Sequence, residues 1–134
     1  MADLRFFSDR SLADHDVPEA LRAAGWQIVS MRERYGSVTA QLLADIDWIR
    51  DATAVGEVLL TGDKAIAKRP LEARAVIAAG ARIFALGNSQ LTGPQKAQRF
   101  LEREQAIFRR AASMPGPYVV SVTGQGLESL KLFG

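Results

Sequence analysis

Glu57-Val58-Leu59-Leu60-Thr61-Gly62-Asp63 is the stretch whose reading decides the fold. Its residues suit a strand, and a glycine and an acid close it. A continuous apolar run, rather than an in–out alternation, is what a parallel strand covered by helices on both faces requires. Toward the N-terminus, a helix spans roughly Gln41 to Ala54 and ends near Gly56, and Arg32 to Ser37 reads as a polar loop. Gln27-Ile28-Val29-Ser30-Met31 is a short strand. Asp16-Val17-Pro18-Glu19 opens a helix that Asp16 can cap and that stops at Gly25. Leu4-Arg5-Phe6-Phe7-Ser8 is another buried strand, and it too runs into an acid, Asp9.

Toward the C-terminus, Pro70 starts a helix over Leu71–Ala79 that Gly80 closes, and Arg82–Leu86 is a strand. Thr92 caps a long helix from about Pro94 to Ala112, and Met114-Pro115-Gly116-Pro117 breaks the chain before a strand at Tyr118–Val122. Strands alternate with helices throughout. The pattern predicts a single α/β domain over residues 1–134, with a mostly parallel sheet of about five strands covered by helices on both faces. The tail from Gly124 to Gly134 carries Leu127, Leu130, Leu132 and Phe133, which is apolar for a free end. It is expected to dock on the domain, on a second copy in a homodimer, or on a partner protein.

With 134 residues, 48% of them hydrophobic, the chain can bury a core without staples. It has no cysteine, which excludes zinc–thiolate sites, disulfides and cysteine nucleophiles. No stretch approaches a membrane span, and acid and base arrive early in MADLRFFSDR, so the cytoplasm is the expected location. The net charge of +2 does not announce nucleic-acid binding by itself; the segment from Lys96 to Arg110 is markedly basic.

In open parallel sheets, ligands bind beyond the carboxyl ends of the strands. Asp9 and Asp63 fall at such ends, and Asp45, near the start of a helix, can face the same edge. Asp47 points roughly 200° round the helix from Asp45, so the two cannot serve one centre equally. Clustered carboxylates suit the hard cation Mg²⁺, which can activate water and neutralise charge at phosphorus. That chemistry needs no histidine, and His15, in Ala13-Asp14-His15-Asp16, reads as a surface residue. A plainer reading stands beside this one: Asp is common at strand ends, turns and helix starts for local reasons.

At these residues the sequence resembles the PIN domain superfamily, in particular its minimal VapC-like toxins. Phe6-Phe7-Ser8-Asp9-Arg10 is similar to the family's opening strand and first metal-binding acid. Ala44-Asp45-Ile46-Asp47-Trp48-Ile49-Arg50-Asp51-Ala52, followed by Val58-Leu59-Leu60-Thr61-Gly62-Asp63-Lys64, resembles its helix acid, helix, and strand ending in Thr-x-Asp. The resemblance implies a three-layer α/β/α domain and Mg²⁺- or Mn²⁺-dependent cleavage of RNA. It makes Asp9, Asp45 and Asp63 metal ligands, with Asp47 as an additional acid and Thr61 supporting the site through its hydroxyl. It also implies a toxin role with a cognate antitoxin as partner. The family's usual pattern has another acid, often Glu, before the Asp45 position; here only Glu33 is a remote candidate.

Lys96, Arg99, Arg103 and Arg110 recur at helical spacing, either as an RNA-binding stripe or as an ordinary solvated face. Arg10 and Lys64 adjoin proposed site acids and either contact substrate phosphate or balance the carboxylates. Trp26 and Trp48 read as packing residues, as do Phe100 and Ile107. Two other functions remain open on the sequence: a non-catalytic PIN-like module that binds RNA or protein, and a phosphoacceptor domain of receiver type.

Overall fold

The computed structural model describes residues 3–87 and 90–133. Six strands form one sheet: β1 (Arg5–Ser8), β2 (Gln27–Ser30), β3 (Val58–Thr61), β4 (Arg82–Ala85), β5 (Tyr118–Thr123) and β6 (Gly126–Leu130). Their order is β2-β1-β3-β4-β5-β6. The first five run parallel, and β6 pairs antiparallel with β5 at the edge. Period-two alternation along the strands sorts side chains into two cores. Phe6, Val58, Leu60, Phe84 and Val120 face one helical layer, made by α1 (Asp16–Ala23), α6 (Gly93–Glu102) and α7 (Glu104–Ser113). Phe7, Leu59, Ile83 and Val119 face the other. That second layer comprises α2 (Met31–Tyr35), α3 (Ser37–Leu42), α4 (Asp45–Ala54) and α5 (Pro70–Ala79). The architecture is a three-layer α/β/α sandwich. Trp26, Trp48, Phe100 and Ile107 are all buried in it, as packing residues.

The structure corrects several readings of the sequence. Arg32–Ser37 is not a loop: Ser30 accepts the Glu33 N–H and Glu33 accepts the Ser30 N–H, a capping box that starts α2. The helix expected from Gln41 is two helices, because Leu43 and Ala44 adopt extended backbone between α3 and α4. Asp16 is the first residue of α1 rather than its cap; its charge still suits a helix N-terminus. The long helix after Thr92, capped as expected, breaks at Arg103. The apolar tail docks on its own domain: β6 extends the sheet, Leu127 packs on one core, and Leu130 and Leu132 pack on the other. Phe133 then donates its N–H to the Ala67 carbonyl. Gly134 lies outside the described residues.

Candidate active site

β1 and β3 are sheet neighbours, and the chain leaves them in opposite directions, which makes their carboxyl ends the place where open parallel sheets take ligands in a crevice. Asp9 follows β1 directly, and its N–H donates to the Leu60 carbonyl at 3.1 Å, which continues the ladder. Its side chain is therefore pinned beside β3. The Thr61 hydroxyl donates to Asp9 Oδ2 at 2.7 Å. The Ser11 N–H and hydroxyl donate to Oδ1 at 3.1 and 2.5 Å. Ser11 Oγ in turn accepts the Gly62 N–H at 2.7 Å and lies 3.1 Å from Thr61 Oγ1. The glycine lets the two segments approach closely: a Cβ on residue 62 would sit 3.0 Å from the Ser11 carbonyl oxygen, tighter than most side-chain contacts. Asp9 is only 4% exposed, and burial pushes its carboxyl up to about 6. The bonds from Ser11 and Thr61 pull it down, and the charge of Asp45 adds to the rise.

Asp63 lies two residues past β3. Its N–H donates to Thr61 Oγ1, and its Oδ1 accepts from the Ala65 N–H at 3.0 Å, starting a 3₁₀ turn over Lys64–Ala67. Its Oδ2 accepts from Arg69 at 2.7 Å. Asp45 opens α4, where Trp48 Nε1 donates to Oδ1 at 2.9 Å and Arg10 does so at 3.1 Å. Arg69 reaches Asp45 Oδ2 at 3.4 Å. Asp9, Asp45 and Asp63 thus border one crevice, linked by Thr61 and Ser11 on one side and by Arg69 on the other. Among the described residues, no three Asp, Glu, His or Cys side chains are grouped as a metal would need.

Other candidates lie elsewhere. Asp47 pairs with Arg50 on its own helix. Glu33 is committed to Ser30 and to Arg22 at 2.5 Å. His15 is an exposed turn residue ahead of α1. Arg10 also donates to the carbonyls of Leu43 and Ala40, at 2.8 and 3.3 Å, so it balances Asp45 and closes the end of α3.

The family described as PIN like domain matches residues 4–88, which contain all three aspartates. The chain belongs to the PIN-like domain family. It is 37% identical over 123 residues to the protein named "Putative ribonuclease VapC45" of Mycobacterium tuberculosis (strain ATCC 25618 / H37Rv). The match covers 91% of this chain and 88% of that relative. No solved structure matches significantly.

Within this PIN-like domain the basic residues divide. The break at Arg103 destroys the single helical stripe. Lys96 donates to the Ser11 carbonyl at 3.2 Å, Arg103 to the carbonyls of Thr123 and Gly124, and Arg110 to the Ser129 hydroxyl. Each ties a helix to its neighbours. Lys64 and Arg99 instead line a cavity of about 250 Å³ at the carboxyl ends of β4 and β5, together with Ser121 and Thr123. Sequence reasoning missed Ser11, Arg69 and the polar use of Trp48. Ser11 had a signal, since Asp9-x-Ser11 fits an Asx turn. Arg69 had none, because its partners Asp63 and Asp45 lie 6 and 24 positions away, at no helical or strand spacing.

Proposed function

We propose that the chain is a divalent-metal-dependent endoribonuclease, the toxin of a type II toxin–antitoxin pair acting in the cytoplasm. Asp9, Asp45 and Asp63 would hold Mg²⁺ or Mn²⁺. The observation that carries this reading is the treatment of Asp9. It is a buried carboxylate bonded by hydroxyls and an N–H, with no cation on it among the described residues. A buried charge without a counter-ion costs several kcal/mol, on the order of 3–5 when its partner is missing. A divalent cation would relieve that cost. The donors fit in kind as well, because all three offer carboxylate oxygens to a hard ion. The ribonuclease and toxin roles draw on the name of the relative.

When bound, the ion would supply an activated water and a counter-charge for the phosphate under attack. The chain's own residues prepare for that. Thr61 and Ser11 fix the direction of the Asp9 oxygens, Trp48 fixes Asp45, and the 3₁₀ turn fixes Asp63. Lys64, next in sequence to Asp63, and Arg99, which also pairs with Glu102, offer positive charge in the cavity at the ends of β4 and β5, where flanking RNA phosphates would bind. Lys96, Arg103 and Arg10 serve mainly to hold the surrounding helices and loops, and Asp47 has the weakest claim among the acids.

The test is cleavage of single-stranded RNA by protein freed of metal with chelator and then given Mn²⁺. Activity that returns with Mn²⁺, and fails to return in Asp45→Asn, supports the proposal; equal activity in the variant removes Asp45 from it. A second reading, a non-catalytic RNA-binding module, is favoured by the absence of a ready three-acid group among the described residues. RNA binding without measurable Mn²⁺ binding selects it. The toxin role predicts that the product of a small adjacent gene relieves growth arrest when the two are co-expressed.

A further inference from the structure

Two arginines touch the acids, and they are anchored in different ways. Arg10 is held by the Leu43 and Ala40 carbonyls as well as by Asp45, so it keeps its place whatever Asp45 does. Among the described residues, the hydrogen bonds and ion pairs of the Arg69 side chain go only to carboxylates. Its Nη2 lies 2.7 Å from Asp63 Oδ2 and 3.4 Å from Asp45 Oδ2, and its Nε lies 3.3 Å from Glu72 Oε1. Among the described residues it is the cation that spans two of the three proposed metal ligands. It also sits at the N-terminus of α5, directly before Pro70. A helix N-terminus repels a cation, so the acids, and not the helix, hold Arg69 there. Its side chain is 42% exposed, and Glu72, one helical turn on, offers it a partner outside the crevice.

Resting on the metal-holding role of the aspartates, we infer that Arg69 is a positioning residue that acts as a built-in counter-ion. It holds Asp45 and Asp63 together in the metal-free protein, and it must yield them to an entering divalent cation, retreating to Glu72. Two cations cannot share the same carboxylate oxygens without mutual repulsion. Arg69 therefore lowers the apparent metal affinity of the site and sets the metal concentration at which it fills.

The experiment is a Mn²⁺ titration of metal-free protein, read by the electron paramagnetic resonance of the free ion. It uses the parent, Arg69→Gln, Arg69→Lys and Arg74→Gln. Arg74 is exposed on the same helix, so its variant controls for the loss of one charge. Arg69→Gln should bind Mn²⁺ about tenfold more tightly than the parent, the scale expected for removing two partly exposed ion pairs. Arg69→Lys should fall between them, because an ammonium is a point charge without the guanidinium fork. Arg74→Gln should match the parent within about twofold. Equal or weaker binding in Arg69→Gln overturns the inference, because a merely structural arginine would loosen the site when lost. If circular dichroism shows Arg69→Gln unfolded, Arg69→Lys decides by the same rule. Mn²⁺ bound equally by parent and variants sinks Arg69 alone. Mn²⁺ bound by none of them sinks the metal site, and this inference with it.

Discussion

Asp9 and Glu57 are the two acids that the described fold buries most deeply, 4% and 5% exposed, and they sit at opposite edges of the same sheet. Glu57 precedes β3, at the amino edge, where both of its oxygens accept from the Arg34 guanidinium at 2.6 and 2.5 Å. Arg34 in turn lies over the Phe7 ring, 5.1 Å from its centroid. This is a bidentate, charge-assisted pair, and it leaves the carboxylate neutralised. Asp9 follows β1, at the carboxyl edge, and receives hydroxyls and an N–H instead of a cation. Burial alone does not mark a functional acid; what matters is whether the fold supplies the counter-charge. At Glu57 it does. At Asp9 no cation is supplied among the described residues, and the proposed metal would fill that role.

The largest expected effects separate the two edges. Asp63→Asn should lower RNA cleavage on the order of a thousandfold, as loss of a charged group that stabilises the transition state does, with melting temperature little changed. Glu57→Gln should leave cleavage within about twofold of the parent while lowering stability by about 2 kcal/mol, less than for a fully buried pair because Arg34 is partly exposed. Assay and melting curve together check both. A Glu57 variant that lost activity at unchanged stability would break the comparison.

The next effect is in pH. The folded-state pKa of Asp9, about 6, lies above its ordinary value of 3.8. Between those values the folded protein binds more protons than the unfolded one, so its stability falls as pH rises through the window and levels off above it. Denaturation of the metal-free parent should show a loss of roughly 3 kcal/mol from this group between about pH 4 and pH 6. Asp9→Asn should lack that component and gain on the parent as pH rises. A parent and variant that keep a constant difference across the window would contradict the uncompensated state of Asp9.

Smaller effects sharpen the picture of how Asp9 is held. Ser11→Ala removes both the hydroxyl on Oδ1 and the acceptor of the Gly62 N–H. Cleavage should fall about 10- to 100-fold, the usual cost of a lost support behind a metal ligand. Gly62→Ala forces a methyl against Ser11 and should cost about 1 kcal/mol in thermal unfolding, with a few-fold loss of rate.

What could be read from the sequence follows the range of the interactions. The placement of Asp9 and Asp63 at the sheet's carboxyl edge was legible because each follows a buried apolar run, and strand ends in a parallel sheet have a known address. The two layers were legible because strands and helices alternate. The break at Arg103 was not, since Phe100 and Ile107 keep a continuous helical period across it, and the break depends on Arg103 reaching the β5–β6 turn. The Ser30–Glu33 capping box was written in the sequence and was outweighed by the polar character of Arg32–Ser37. β6 was hidden because Leu127-Glu128-Ser129-Leu130 is too mixed to read as a strand until Tyr118–Thr123 is there to pair with it. Arg69 was illegible for a similar reason: its role exists only once α4 and the turn after β3 meet.

The most direct test of the account is the Mn²⁺ dependence of RNA cleavage in chelator-treated parent and Asp9→Asn protein. The parent should be silent without metal and regain cleavage as Mn²⁺ is added, while Asp9→Asn should stay at the metal-free level at every concentration. Cleavage by the parent in chelator, or a variant that follows the parent's curve, would contradict it.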